Sequence, residues 1–348
     1  MIATDLAATT AAMNAELDTD PVFRPSSFWS ELAAKNAAWL EQDGLQSCRR
    51  TVSMNYFNWM IMAPHHPLFR AAVADWIKHP SLAPLRARIE RDVTIRLYTH
   101  DRPVRVGWAK RQTYKLFVAM LWDHMLRLDR AGLAQRIEEP EIGNPIRIHH
   151  RGRLIANDLC CAITEANTIL PHVEKRERPR ICEIGAGYGR LAYVISKARK
   201  GLYCIFDVPP TLNVSQWYLT RSLPEHRIFR FRRFDCFDDI AAELAQSDVA
   251  FFTPNQLRAF PDGYFDVAAS VSTLPELTLE QVEVFLELMQ RTSRGFIYLK
   301  QWHRWKNEKD GTDLTIDAYR FAPEWHRTLY RADPLIPSFF EAVWERRA

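Results

Sequence analysis

Apolar and polar positions follow two different rhythms along the 348 residues. Up to about residue 140 the apolar side chains recur at steps of three and four, the spacing of amphipathic helices. Phe28, Leu32, Ala33, Trp39 and Leu40 form one such stripe, for which Ser27 is the predicted N-cap and Gly44 the stop. Similar stripes predict helices over residues 67–78, 81–91 and 108–136, and another spans 154–170. From residue 179 onward, short apolar runs alternate with amphipathic stretches. The runs at 179–184, 202–206, 228–234, 249–253, 265–270 and 295–299 read as strands. The stretches at 190–200, after Pro209-Pro210, at 238–245 and at 278–290 read as helices. Strands alternating with helices imply a mostly parallel sheet covered on both faces, a doubly wound α/β fold of Rossmann type. Breaks at Glu138-Glu-Pro140 and Gly143-Asn-Pro145 divide the chain. Residues 1–25 read as a flexible N-terminus, 26–145 as a helical extension, and 146–348 as the α/β domain.

Composition narrows the functional classes. Hydrophobic residues make up 47% of the chain, ample for a core, and the net charge of +4 is small. No dense Lys/Arg block occurs, which argues against a nucleic-acid partner. The closest approach, Arg227, Arg230, Arg232 and Arg233 among phenylalanines, reads as the solvated face of a strand. No apolar run reaches the 18 residues of a membrane span. The six cysteines lack Cys-x-x-Cys spacing and fall mostly in apolar segments, as reduced thiols of a cytoplasmic protein do.

The densest chemical signal is Ile181-Cys-Glu-Ile-Gly-Ala-Gly-Tyr-Gly-Arg190, followed by the run Leu202-Tyr-Cys-Ile-Phe206 and Asp207. It describes a strand, a glycine turn, a helix and a second strand tipped with a carboxylate. Asp207, roughly 20 residues after the turn, stands where such folds place an acid on ribose hydroxyls. A dinucleotide site requires Gly-x-Gly-x-x-Gly, and Arg190 occupies the third glycine position. An acid at Glu183, two residues before the first glycine, would repel a pyrophosphate but suits an ammonium or a sulfonium. This acid–glycine pattern is the first motif of class I S-adenosylmethionine methyltransferases.

Beyond that motif the chain resembles the bacterial sugar O-methyltransferases, a family of cell-surface polysaccharide biosynthesis. The resemblance is carried by Ser27-Phe-Trp-Ser-Glu-Leu-Ala-Ala-Lys-Asn36, Gly143-Asn-Pro145, Gly152-Arg-Leu-Ile-Ala-Asn-Asp158 with Glu165, and Cys182 to Ala192. It continues in Phe206-Asp-Val-Pro-Pro-Thr-Leu-Asn-Val-Ser-Gln-Trp-Tyr-Leu219, Phe252-Thr-Pro-Asn-Gln-Leu257, and Phe265 to Leu277. It departs where the family has Ser-x-Gln-Glu-Met and this chain has Ser272-Thr-Leu-Pro-Glu276-Leu277, and residues 80–110 match nothing in it. The resemblance implies a class I methyltransferase fold, S-adenosylmethionine as cofactor and a sugar or glycan hydroxyl as acceptor. Two other readings stay open: methylation of another small molecule, such as a natural product or lipid, and a non-catalytic S-adenosylmethionine-binding subunit of a glycan-assembly complex.

Ligands in open α/β sheets bind beyond the carboxyl ends of the strands. Gly185, Ala186 and Gly187 are therefore expected against the methionine part, with Glu183 near its amine and Asp207 on the ribose. The adenine contact falls to Asn255 and Gln256 if residues 249–253 form the third core strand, and to Asp235 if residues 228–234 do; the wording of the loop favours Asn255 and Gln256. Activating an alcohol calls for a general base. Glu276 is the first candidate, His303 the second, and Asp158 a third, at the start of a helix whose beginning lies near the ligand end. Asp235, Asp238 and Asp239 form the main carboxylate cluster, read as helix capping rather than a metal site, so no obligatory metal is expected.

Overall fold

The computed structural model describes residues 3–50, 74, 84, 108–306 and 312–347. The helices expected at 67–78 and 81–91 lie outside the described residues, apart from Ala74 and Pro84. The chain begins with α1 (Ala3–Leu17), where a flexible lead-in was expected, and a 3-10 turn at Pro21–Phe23. Next comes α2 (Ser27–Asp43), capped by Ser26, whose Oγ accepts from Trp29 N, and closed by Gly44 at φ 74°. The cap thus falls one residue earlier than the sequence pattern suggests. Trp29, Leu32, Asn36, Trp39 and Leu40 form the buried face. The single helix expected over 108–136 is two, α3 (Trp108–Met125) and α4 (Leu133–Arg136), parted at Gly132 in the left-handed region.

Residues 148–155 form a hairpin instead of a helix start. Strands β1 (Ile148–His150) and β2 (Arg153–Ile155) pair across Arg151 and Gly152, both at positive φ, the geometry that fits a two-residue hairpin turn. Helix α5 (Asn157–Ile169) follows and is buried on nearly every side. The α/β portion then runs β3 (Arg180–Ile184), α6 (Arg190–Ala198), β4 (Leu202–Phe206), α7 (Thr211–Ser222), β5 (Ile228–Phe229), α8 (Asp238–Gln246), β6 (Val249–Phe252) and β7 (Phe265–Val271). It continues with α9 (Leu279–Thr292), β8 (Ser293–Trp302), the small pair β9 (Arg304–Lys306) and β10 (Asp313–Thr315), and finally β11 (Trp325–Ala332) and β12 (Phe339–Arg346).

Eight strands form the main sheet in the order β11-β12-β8-β7-β3-β4-β6-β5. From β5 to β8 all neighbours are parallel, while β12 runs antiparallel to both β8 and β11. Alternate side chains of β3 serve opposite faces. Ile181 joins the core beneath α5, α6 and α7, whereas Cys182 and Ile184 join the core beneath α8 and α9. This is the doubly wound α/β sheet that the alternation of segments implied. Chain order reverses between β3 and β7, so the crevice at their carboxyl ends is the topological switch point.

The N-terminal segment is joined to this body by apolar packing, with Met13, Trp39 and Leu40 in one core and Leu17 and Trp29 in the other, and by a buried charge. Arg49 is buried, pairs with Glu139, lies 3.8 Å from Asp158 and stacks over the rings of Tyr188 and Tyr218. No helix among the described residues is long and apolar enough to cross a membrane. The six cysteines are free thiols; five are buried and Cys236 is exposed.

Candidate functional site

The glycine turn follows β3 directly. Gly185, Gly187 and Gly189 all have positive φ, and a Cβ at Gly185 would come within 2.1 Å of Thr273 Oγ1. Only glycine fits that approach. Thr273, just past β7, fastens the turn by donating from Oγ1 to Gly185 O at 3.1 Å. The loops after β3 and β7 therefore meet at the switch point and frame a cleft with a cavity volume of about 90 Å³.

Glu183, Gly185, Ala186, Gly187, Asp207, Asp158 and Glu276 all line this cleft. Seven of the ten positions singled out in the sequence are thus brought together. Asp207 is buried, with its carboxylate accepting from Gly187 N at 3.0 Å and Val208 N at 2.7 Å. Burial pushes its pKa up to about 8, against the lowering effect of those two backbone donors. Glu183 accepts from Tyr203 OH at 2.8 Å, and burial raises its pKa to about 7. Neither carboxylate has a cation within salt-bridge distance among the described residues.

The two cations of the cleft wall are already committed. Arg190 makes a bidentate pair with Glu165 at 2.6 and 2.9 Å. Lys300 Nζ lies 3.0 Å from Glu165 and 2.7 Å from Asp333. Those carboxylates favour both protonated cations, and Arg190 and Lys300 in turn hold Glu165 below the usual range despite its burial. Asp158 is occupied as well: Tyr188 OH donates to it at 2.8 Å and Arg49 lies beside it. Burial nevertheless keeps its pKa raised.

Three sequence candidates lie elsewhere. His303, at the end of β8, packs against Tyr330 and Phe340 and does not line the cleft. Asn255 follows β6, which does occupy the strand position beside β4, but its Nδ2 donates to Glu16 O and Oε1 and to Thr19 Oγ1. Gln256 closes a capping box with Thr253 and donates to Arg232 O. Residues 228–234 pair in the sheet only at Ile228 and Phe229. Asp239 accepts from Asp235 N and Cys236 N, a turn-closing use. His150, in β1, contacts Asp123 at 2.9 Å.

The structure adds groups that sequence reasoning missed. Asn157 and Ser272 both line the cleft, and Asn157 Oδ1 and Ser272 Oγ have no hydrogen-bond partner among the described residues. Ser272 also sits at φ 56°, a conformation costly for a residue other than glycine and frequent at functional sites. Trp29 reaches the cleft from α2, Ile336 from the β11–β12 connection and Phe339 from the start of β12. Asn157 could have been found as the neighbour of Asp158 at a helix start; nothing in the sequence marks the strain at Ser272.

No family model matches the chain, and no curated protein matches it, so the family resemblance stands on the quoted segments alone. Among solved structures, it is similar to magnesium protoporphyrin IX methyltransferase from Synechocystis PCC 6803 with bound S-adenosylmethionine. That overlap has 11% identity and a TM-score of 0.37, covering 70% of this chain and 100% of the other. It is also similar to a S-adenosylmethionine-dependent methyltransferase from Aquifex aeolicus at 16% identity and a TM-score of 0.30, covering 51% of this chain and 87% of that one. Overlaps at this level add nothing to the strand order itself. That order, with β12 antiparallel to its neighbours β8 and β11, is a Rossmann-like α/β arrangement.

Proposed function

We propose that this protein is an S-adenosylmethionine-dependent O-methyltransferase whose acceptor is a hydroxyl of a sugar or glycan precursor. One observation carries the cofactor assignment: two buried carboxylates, Glu183 and Asp207, flank a glycine turn without a neutralising cation, while the nearby cations are paired elsewhere. Such a cleft favours a cationic ligand, whose charge would draw both raised carboxyls into their ionised form, and desolvated charges interact more strongly than in water. The turn at Gly185 also leaves no room for a Cβ, as expected where a ligand lies against backbone.

Bound there, S-adenosylmethionine supplies an electrophilic methyl on a sulfonium sulfur. Asp207 would accept from the ribose hydroxyls and Glu183 would face the amine. Glu276, buried in the cleft wall, would take the proton of the acceptor hydroxyl as its oxygen takes the methyl and neutral S-adenosylhomocysteine leaves. Asp158, engaged by Tyr188 and Arg49, is the second candidate. Asn157, Ser272 and Thr273 offer hydrogen bonds to a polyol, and Trp29 and Phe339 offer aromatic faces to its C–H surface. The helical extension thereby contributes to the acceptor side through Trp29.

Calorimetry with S-adenosylhomocysteine on the wild type and on Asp207→Ala tests the cofactor assignment; equal affinity would refute it. Transfer from methyl-labelled S-adenosylmethionine to nucleotide-sugar and surface-glycan extracts tests the acceptor. Label in a carbohydrate fraction, absent with Asp207→Ala, supports the reading. Label only in a lipid or other small-molecule fraction refutes the sugar assignment, and binding without any transfer refutes the enzyme.

A further inference from the structure

Residues 16–29 lie across the end of the cleft where Asp207 sits. A small cavity of about 30 Å³ remains there, between Phe23, Pro25 and Trp29 on one side and Gly185, Asp207 and Val208 on the other. That is room for roughly one or two water molecules. On this side no adenosine group fits beside the Asp207 carboxylate while the segment is seated, and Asp207 is only 4% exposed.

The segment is held by polar bonds at its surface and by Leu17, Phe23 and Trp29, which are buried in the core beneath α8 and α9. Gln281 Nε2 donates to Val22 O at 2.9 Å and Arg24 O at 2.7 Å. Ser26 Oγ donates to Glu276 O at 2.9 Å, so the segment also touches the loop that carries the candidate base. Asn255 Nδ2 holds Glu16 and Thr19, and two ion pairs at the rim, Arg258–Asp20 at 2.7 Å and Arg233–Glu16 at 2.8 Å, are partly exposed. Phe23 meets Phe285 edge to face, with ring centroids 5.3 Å apart. Bonds to a surface already folded can be exchanged for water without unfolding the sheet beneath, and segments of this kind are common in closing an active site.

We infer that residues 16–29 are a gate: the segment lifts to admit the adenosyl end of the cofactor, and its release sets the rate of cofactor exchange. The inference rests on the cofactor reading above. It also explains why Asn255, expected on the adenine, is held by Glu16 instead, since the gate in its seated position uses the loop after β6 as its latch.

Gln281→Glu removes a second fastening of the gate, on α9. The carboxylate keeps the capping box, in which Thr278 N donates to the Gln281 side chain, but it cannot donate to Val22 O and Arg24 O. Stopped-flow binding of S-adenosylhomocysteine, followed by tryptophan fluorescence, should show association and dissociation both faster by about tenfold, with little change in Kd. Arg258→Ala removes a rim ion pair and should act in the same direction by about two- to fivefold. In the wild type, hydrogen exchange of residues 16–29 should proceed independently of exchange in β3 and β4. Unchanged rates in both variants, with the thermal transition intact, overturn the gate while leaving the cofactor reading in place. Loss of binding in a folded Gln281→Glu protein overturns it too, making the segment a fixed wall. No binding by the wild type overturns the cofactor reading, and the gate with it.

Discussion

The raised pKa of Asp207 makes affinity for the cofactor a function of pH, and the sign follows from the geometry. Burial lifts the carboxyl to about 8, so in the unliganded protein at neutral pH it is mostly protonated. Ribose hydroxyls that donate to both oxygens favour the ionised form. Between pH 8 and pH 6 the ionised fraction falls from about one half to about one hundredth, a loss of about 50-fold in affinity or roughly 2.3 kcal/mol. Glu183, near 7, steepens the fall by up to about tenfold more where its charge is also used. Calorimetric titration with S-adenosylhomocysteine from pH 6.0 to 8.5, on the wild type and on Asp207→Asn, measures both the slope and its owner. The same shift acts on stability in the opposite sense. The folded, unliganded protein keeps a proton that the unfolded chain has lost, so the Asp207 contribution is intact below about pH 4 and disappears as pH rises toward 8. Asp207→Asn should therefore melt higher than the wild type at pH 8, with the difference closing near pH 4. A flat affinity profile in the wild type, or the full slope surviving in Asp207→Asn, would refute the assignment of this carboxylate to the ligand.

Other expectations are more local. Arg49→Met leaves Glu139 and Asp158 buried without their cation and should cost about 3–5 kcal/mol in urea unfolding at pH 7. Burial raises the pKa of both carboxyls, so the deficit should shrink at lower pH; a deficit that grows would contradict the pairing. Ser272→Gly relieves positive φ and should raise stability by about 1 kcal/mol while weakening turnover; loss of stability would argue against strain at this position. Glu276→Gln should preserve S-adenosylhomocysteine affinity and lower methyl transfer by about 100-fold or more, and unchanged transfer would move the base to Asp158.

What the amino-acid pattern revealed tracks how local each cause is. The strand, glycine turn and helix around residues 181–198 are readable because their requirements are met within a few positions, and the structure reproduces them almost residue for residue. Helix α1 escaped notice because its Ala and Thr residues form no broad apolar stripe. What orders it is contact with distant elements, as in the bond from Asn213 Nδ2 to Thr10 Oγ1 at 2.7 Å. Strand β12 was unexpected for a related reason: no helix separates it from β11, so the alternation that marks the other strands is absent there. The cleft acids were legible from spacing, but the commitments of Asp158 to Arg49 and of Asn255 to Glu16 join residues 109 and 239 positions apart. No local pattern announces such pairs.

Strand β12 carries a consequence for how the chain is made. It inserts between β8 and β11, yet it is the last strand of the sheet to leave the ribosome. Until residues 339–346 emerge, the ten-residue strand β8 presents one unpaired edge, and Ile297 and Leu299 lack part of their cover. An unpaired, largely apolar edge is a template for pairing with another chain. In the finished sheet β12 removes that hazard by covering the whole edge of β8 from Phe296 to Trp302.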